Sequence, residues 1–228
     1  MINLHGKTAF ITGSSRGIGQ QIAIGLAQQG CNIIVHGRSL ESCAKTLDLL
    51  QNFPVSKYHV YGELSDQEQV RDLIKQVKAL PDQVDVLYNN AAIMSPYRKD
   101  IWSHTWEDWS RSFEVNVFAM YELCKAFLPA MIDRKFGRVI NLTSGITHEP
   151  ELAPYGATKW AVNKLTDDIS SKLEGTGVRI NTLDPGWLRT DLGGEYASNP
   201  VEAVLPGALE PALVEDDGAN GQLFSALR

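Results

Sequence analysis

A glycine-rich turn near the start of the chain constrains the possible folds more than any other segment. It reads Thr12-Gly13-Ser14-Ser15-Arg16-Gly17-Ile18-Gly19, follows the apolar run Thr8–Ile11 and precedes apolar residues at helical spacing. A strand, a glycine turn and a helix in this order can bring backbone N–H groups and a helix N-terminus up to a phosphate group. A glycine cluster after a strand can also be only a tight turn, so the rest of the chain has to decide between the two.

A second motif lies far downstream. Tyr155-Gly156-Ala157-Thr158-Lys159 places a phenol and an ammonium group four residues apart, on one face of a helix. Alone, this spacing is common and usually marks only a helix face. Together with a dinucleotide-binding turn, an acid–base tyrosine beside a lysine predicts hydride transfer to or from a carbonyl carbon.

The fold class follows from the alternation of short apolar runs with helical patterns along all 228 residues. Runs such as Asn32–Val35 are almost continuously apolar, which is typical of parallel strands covered on both faces. We therefore predict an α/β fold. It is a single NAD(P)-binding Rossmann domain over residues 1–228, a doubly wound parallel sheet of about seven strands with helices on both faces.

Two of the predicted helices lie in segments that border the site. One covers residues 103–134 and is broken near Asn116, and the other covers residues 200–214. Glycines and prolines between residues 187 and 215 indicate a loop-rich stretch, which we interpret as a substrate lid within the domain.

Charge and composition exclude several partners. The net charge of −6 and the isoelectric point of about 5.4 argue against nucleic acid. The sequence has no apolar run near the roughly 20 residues that a membrane span needs, and its first residues lack the apolar region of a signal peptide. The three cysteines are few and odd in number, which favours a reducing, cytoplasmic setting over a disulfide framework.

The segment after the second strand favours NADP(H) over NAD(H). Proteins that bind NAD usually carry an acidic residue there, but this chain has no Asp or Glu between Cys31 and Leu40. Instead, Arg38 follows the strand and Arg16 lies in the glycine turn. Two guanidinium groups can hold a 2′-phosphate by charge and by bidentate hydrogen bonds. After the fourth strand, the small residues of Asn89-Asn90-Ala91-Ala92 suit close packing against a flat ring.

With these motifs assembled, the chain resembles the classical short-chain dehydrogenase/reductase family, and within it the carbonyl-reductase-like branch. The resemblance covers essentially the whole chain. It rests on six ordered motifs: the glycine turn (TGxxxGIG), Asn89–Ala92 (NNAG), Asn116 in Glu114-Val115-Asn116-Val117, Ser144, Tyr155–Lys159 (YxxxK) and Asn181–Gly186 (NxxxPG).

The chain departs from the family pattern at three places. Ala92 replaces the last glycine of NNAG, and Glu63-Leu64 stands where the family often has Asp-Val facing the adenine. Only eleven positions separate Ser144 from Tyr155. This short segment borders the substrate, so the family does not indicate which substrate is bound.

The resemblance implies a catalytic set of four residues. Tyr155 is expected to donate a proton to the carbonyl oxygen, and Lys159 to favour its phenolate and hold the nicotinamide ribose. Ser144 is expected to hold the carbonyl oxygen. Asn116 is expected to bend its helix and anchor a water beside the lysine.

The other expected site residues follow from the same motifs and from the ends of the strands. For the cofactor they are Gly13, Ser15, Arg16, Gly17, Ile18, Gly19, Arg38, Glu63, Leu64, Asn90, Ala91, Ala92, Tyr155, Lys159, Pro185, Gly186, Leu188 and Thr190. For the substrate they are Met94, Ser144, Ile146, Tyr155, Trp187 and Leu192, with Ser95 as a further wall candidate. No metal site is predicted.

The leading hypothesis is therefore an NADPH-dependent enzyme that reduces a neutral, partly apolar ketone or aldehyde. The alternatives are an NAD-linked alcohol dehydrogenase and a non-catalytic NADP(H)-sensing module. A homodimer or homotetramer is expected from the family. Trp102, Trp106 and Trp109 are spaced as one helix face. Packing in the core or between subunits is favoured over ligand stacking for them.

Overall fold

The structure, a computed structural model, describes residues 1–227. Within these residues the sheet has seven strands, all paired in parallel, in the order β3-β2-β1-β4-β5-β6-β7. The strands are β1 Thr8–Ile11, β2 Asn32–Gly37, β3 Lys57–Tyr61, β4 Val86–Asn89, β5 Gly137–Leu142, β6 Val178–Asp184 and β7 Leu223–Ser225. The predicted doubly wound parallel sheet is confirmed.

Helices cover both faces of this sheet. They are α1 Gly17–Gln28, α2 Leu40–Leu50, α3 Gln67–Lys78, α4 Trp106–Phe113, α5 Ala119–Asp133 and α6 Ala153–Ser170. Along β1, Ala9 and Ile11 join the core cluster with α1 and α2, whereas Phe10 joins the cluster with α3, α5 and α6. The central strands are therefore buried on both sides, which explains their continuous apolar runs.

The start of α1 differs from that of the other early helices. Ser39 caps α2 and Asp66 caps α3 with side-chain oxygens. Arg16, at the N-cap of α1, makes no such side-chain hydrogen bond within the described part of the chain. The first N–H groups of α1 consequently lack a side-chain acceptor and can receive an anion.

The long helix predicted over 103–134 is interrupted as expected. A π-helix, Glu114–Phe118, joins α4 to α5 and carries Asn116. This confirms the break near Asn116. The continuous helical stretch Trp106–Asp133 is long and apolar enough to cross a membrane by length and composition alone, but 56% of its most apolar window is buried in the fold.

The three tryptophans do not form one helix face. Thr105 caps α4, so Trp102 lies outside it in a separate 3₁₀ turn, Ile101–Ser103. Trp102 and Trp106 are 89% and 87% exposed. Packing in the core of this chain is therefore excluded for these two side chains, and a subunit interface stays a prediction.

The α-helix predicted over 200–214 is wrong. Two 3₁₀ helices occupy the segment, Val201–Val204 and Gly207–Ala212. Pro206 and Pro211 lack the N–H group that an α-helix needs and clash with the preceding turn. Val204, Ala208 and Ala212 are fully buried in the core cluster that includes α1. Most of residues 204–212 of the predicted lid are thus buried in the core.

Candidate active site

A cleft of about 1150 Å³ runs along the carboxyl ends of the parallel strands. Ligands of open α/β sheets bind at this edge, where the strand order reverses between β1 and β4. We call the part around Gly13, Gly17 and Gly19 the glycine end, and the part around Ser144, Tyr155 and Lys159 the tyrosine end.

Close backbone packing shapes the glycine end. Gly13 and Gly17 have φ angles of 63° and 60°, a conformation that favours glycine. A Cβ on Gly19 would lie 2.5 Å from Nδ2 of Asn90 and 2.6 Å from the carbonyl oxygen of Gly13. The turn therefore needs these glycines. It leaves Ser15, the Arg16–Ile18 backbone and the start of α1 facing the cleft, an arrangement that fits a dinucleotide pyrophosphate.

A buried histidine fixes this turn, and the sequence analysis missed it. The Gly13 N–H donates to Nδ1 of His36 at 2.9 Å, and Nε2 of His36 lies 3.1 Å from the carbonyl oxygen of Gly62. Burial lowers the pKa of His36 to about 4, so the ring is neutral at pH 7. Nδ1 accepts and Nε2 donates, which ties the glycine turn to the end of β3. The only sequence signal was a histidine directly before Gly37-Arg38.

Cations line the glycine end. Arg38 lies there as predicted, and Lys45 from α2 joins it, a residue that the sequence analysis missed. Arg16 also lines the cleft, but its Nε is 2.9 Å from Oδ2 of Asp191 in the segment after β6. Asp191 therefore competes with any anionic ligand for the Arg16 guanidinium.

The predicted adenine neighbours differ from each other. Leu64 lines the cleft, whereas Glu63 does not. The Glu63 carboxylate instead accepts a hydrogen bond from the Ser65 N–H at 3.3 Å. The structure thus places the leucine, but not the glutamate, where an adenine could be contacted.

The two sides of the central cleft come from strand ends. Asn90 stands on the glycine turn, because its Nδ2 donates to the Thr12 carbonyl oxygen at 2.7 Å. Thr190 is tied to its own loop, since its Oγ1 accepts from the Gly193 N–H at 3.0 Å. Other predicted cofactor residues that line the cleft are Ala91, Ala92, Pro185, Gly186 and Leu188.

The tyrosine end brings Ser144, Tyr155 and Lys159 to one wall. Nζ of Lys159 donates to the Leu142 carbonyl oxygen at 2.9 Å and lies 5.5 Å from the centre of the Tyr155 ring. Burial lowers the pKa of Lys159 to about 8. Burial also raises the pKa of Tyr155, with the Ser144 hydroxyl acting in the opposite direction. This wall therefore holds a protonated phenol beside an ammonium group that is still charged at pH 7.

Asn116 supports this wall from behind. Its side chain exchanges two hydrogen bonds of 2.9 Å with the Ile93 backbone and donates to Oγ1 of Thr158 at 3.0 Å. Asn116 itself is 3% exposed and is not part of the cleft wall. Within residues 1–227 it therefore reaches Lys159 only through the neighbouring Thr158.

The predicted substrate walls are largely brought together. Met94, Ile146, Trp187 and Leu192 line the cleft near Tyr155, whereas Ser95 is buried away from it. Three further lining residues that were not predicted matter for the tyrosine end. They are Glu149 and Leu152 from the short segment between Ser144 and Tyr155, and Asp184 at the end of β6.

Known proteins are similar to this chain over most of its length. The family model described as short chain dehydrogenase matches residues 7–200. An uncharacterized oxidoreductase of Bacillus subtilis is 36% identical over 194 residues, 83% of this chain and 71% of that protein. Gluconate 5-dehydrogenase of Gluconobacter oxydans is 31% identical over 84% of this chain and 75% of its own length.

A solved structure gives the same result. The 3-oxoacyl (acyl-carrier-protein) reductase of Agrobacterium tumefaciens C58, with NADP bound, superposes with a TM-score of 0.86 at 27% identity, covering 99% of this chain and 95% of that one. The family match covers most of the chain, and the strand order and glycine turn agree with it. The chain belongs to the short-chain dehydrogenase family of oxidoreductases.

Proposed function

We propose that this protein reduces a ketone or aldehyde to an alcohol with NADPH, and that Tyr155 is the proton donor. The observation that carries this proposal is the wall formed by Tyr155, Lys159 and Ser144. It combines a buried phenol, a buried lysine on the same helix and a serine hydroxyl in one cleft. A hydroxyl pair and one cation suit a carbonyl oxygen on which negative charge develops.

The proposed mechanism assigns one task to each side chain. A bound nicotinamide supplies the hydride for the carbonyl carbon. Tyr155 donates its phenolic proton to the carbonyl oxygen, and the Ser144 hydroxyl donates a hydrogen bond to the same oxygen. Lys159, held at the Leu142 carbonyl, stabilises the phenolate that remains. Asn116 is a positioning residue in this scheme, because it holds the Ile93 backbone and Thr158.

The preference for NADPH is supported by the charges of the glycine end. Arg38 and Lys45 line it, whereas Glu41 and Glu63 do not, and the Glu63 carboxylate accepts a hydrogen bond from the Ser65 N–H. Arg38 and Lys45 would attract a ribose 2′-phosphate there by charge and by hydrogen bonds. The NADP in the related Agrobacterium structure supports the same cofactor class.

A homodimer or homotetramer is proposed for the assembly. The support is a set of exposed aromatic side chains on the helices α4 to α6 and the turns beside them, namely Trp102, Trp106, Trp109, Phe118, Tyr121 and Trp160. Apolar surface of this kind usually marks a contact with another protein. The buried, unpaired cysteines suit a cytoplasmic setting.

The test is NADPH consumption over a panel of neutral aldehydes and ketones, with the wild type and Tyr155→Phe. We expect kcat/KM to fall by about 10²- to 10⁴-fold in the variant, because the proton donor is lost. Tyr97→Phe is the matched control, since Tyr97 is 68% exposed and lies outside the cleft wall.

Two results would contradict the proposal. One is a wild-type protein that binds NADPH in calorimetry and yet turns over no carbonyl compound, which is the behaviour of a sensing module. The other is a Tyr155→Phe variant that keeps wild-type activity.

A further inference from the structure

A carboxylate lies at the base of the tyrosine end. Asp184 closes β6 and lines the cleft together with Ser144 and Tyr155. Its Oδ1 accepts from the Gly186 N–H at 2.9 Å, which fixes the side chain at the Pro185-Gly186 corner. The carboxylate is therefore held in place by the turn that follows it.

The backbone after Ser144 is shaped to admit this carboxylate. The Thr143 N–H donates to the Leu183 carbonyl oxygen at 2.9 Å, so Asp184 runs beside the Ser144 segment. A Cβ on Gly145 would lie 2.8 Å from Oδ2 of Asp184. The glycine thus leaves space for a negative charge beside the residue that follows Ser144, in the same cleft as Tyr155.

The charges that face Tyr155 act in opposite directions. Lys159, on the same helix, favours the phenolate, while Asp184 from β6 opposes it. Glu149 adds a second carboxylate from the segment after β5. Because the pKa of Lys159 is about 8, its positive charge fades above that pH. Asp184 and burial then both keep the proton on the phenol.

We propose that Asp184 is a positioning residue that keeps Tyr155 in its protonated, proton-donating form. It thereby extends to higher pH the range in which Tyr155 can donate a proton in carbonyl reduction. The inference rests on the proposed role of Tyr155 as proton donor. The equilibrium between carbonyl and alcohol is unchanged. What Asp184 sets is the pH above which the phenolate needed for alcohol oxidation is formed.

The direct test reads the tyrosine without cofactor or substrate. Tyrosine labelled with ¹³C at Cζ is titrated by NMR from neutral pH to about pH 11, around the ordinary tyrosine pKa, and Tyr155→Phe assigns the signal. In Asp184→Asn the amide oxygen can still accept from Gly186, but the charge is gone. We expect Tyr155 to ionise at lower pH than in the wild type.

Kinetics give a second readout. The acid limb of kcat/KM for alcohol oxidation should move to lower pH in Asp184→Asn, because the phenolate forms earlier. At pH 7, oxidation should rise by about three- to tenfold, the range for one charge removed from a partly buried site. Glu149→Gln removes a charge from another wall and should shift Tyr155 less.

Three outcomes would overturn the inference. They are an unchanged Tyr155 titration in folded Asp184→Asn, equal shifts in Asp184→Asn and Glu149→Gln, and an acid limb that does not move. If the asparagine variant does not fold, Asp184→Ser is measured in the same way. A wild type that reduces no carbonyl refutes the proposed function but leaves the cofactor-free titration to decide the role of Asp184.

Discussion

The walls of the glycine end and of the tyrosine end of the cleft are formed by different parts of the chain, mainly backbone at the first and side chains at the second. At the glycine end the wall is backbone, with Gly13 and Gly19 packed against Ala91 and Asn90 and with cations at the rim. At the tyrosine end the wall is made of buried side chains, Tyr155 and Lys159, with the carboxylate of Asp184 beside them.

This contrast separates two kinds of constraint. The glycine end is sensitive to volume, because a single methyl group meets backbone atoms there. The tyrosine end is sensitive to charge, because a charge in a poorly solvated site changes the protonation of its neighbours. Substitutions can therefore be chosen that affect one end and spare the other.

Among the effects on cofactor binding and stability, the largest is expected from removing a cation at the glycine end. Arg38→Ala should weaken NADPH binding by about 10- to 100-fold and NADH binding far less, because only NADPH carries the 2′-phosphate. Calorimetry with both cofactors measures this. Arg111→Ala, on α4 and outside the cleft wall, is the control. If the wild type bound NADPH and NADH equally well, the cations of the glycine end would not determine the cofactor preference.

The volume constraint is tested by a pair of glycines. Gly19→Ala should lower the free energy of unfolding by about 1–3 kcal/mol, since the new methyl group meets the Gly13 carbonyl oxygen. A Cβ on Gly156 meets nothing within 4 Å, so Gly156→Ala in α6 should raise it by about 0.5–1 kcal/mol. Urea unfolding of both variants gives the comparison. Similar changes in both would show that the glycine turn is not tightly packed.

The smallest effect concerns the ion pair of Arg16 and Asp191. In Asp191→Asn the guanidinium is released, and NADPH should bind up to about fivefold more tightly, as expected for an exposed pair worth at most about 1 kcal/mol. The gain should shrink at high salt. Asp72→Asn breaks the exposed pair with Lys75, away from the cleft, and serves as control. Weaker NADPH binding in Asp191→Asn would mean that the pair holds the two segments together.

The alternation of strands and helices and the glycine turn could be predicted because their signals are local. The apolar run before Gly13 predicts a strand that leads into the turn. The four-residue spacing from Tyr155 to Lys159 predicts that both side chains lie on one face of a helix. Lys45 could not be predicted, because whether a helical side chain faces the cleft depends on how α2 packs. His36 was missed for a related reason, since its partners Gly13 and Gly62 come from two other strands' ends.

The sequence-based predictions were wrong where prolines, a helix cap or packing overrode a local spacing pattern. The apolar spacing over 200–214 resembles a helix, but Pro206 and Pro211 forbid one, and the segment fills the core as two short turns. The tryptophan spacing predicted one helix face, but Thr105 caps α4 and leaves Trp102 outside that helix. Asp184 belongs to the NxxxPG motif, Asn181–Gly186. Its position in the same cleft as Tyr155, however, depends on the pairing of β6 with β5.

The π-helix at Glu114–Phe118 makes the number of residues matter as well as their identity. A π turn holds one residue more than an α turn, and each residue of an α-helix advances the rotation by about 100°. The extra residue therefore contributes to the rotation that places Leu123 and Phe127 of α5 in the core. Losing one residue there would turn α5 on its axis, whereas exchanging one would not. The number of residues in the π-helix therefore sets how far α5 is rotated about its own axis.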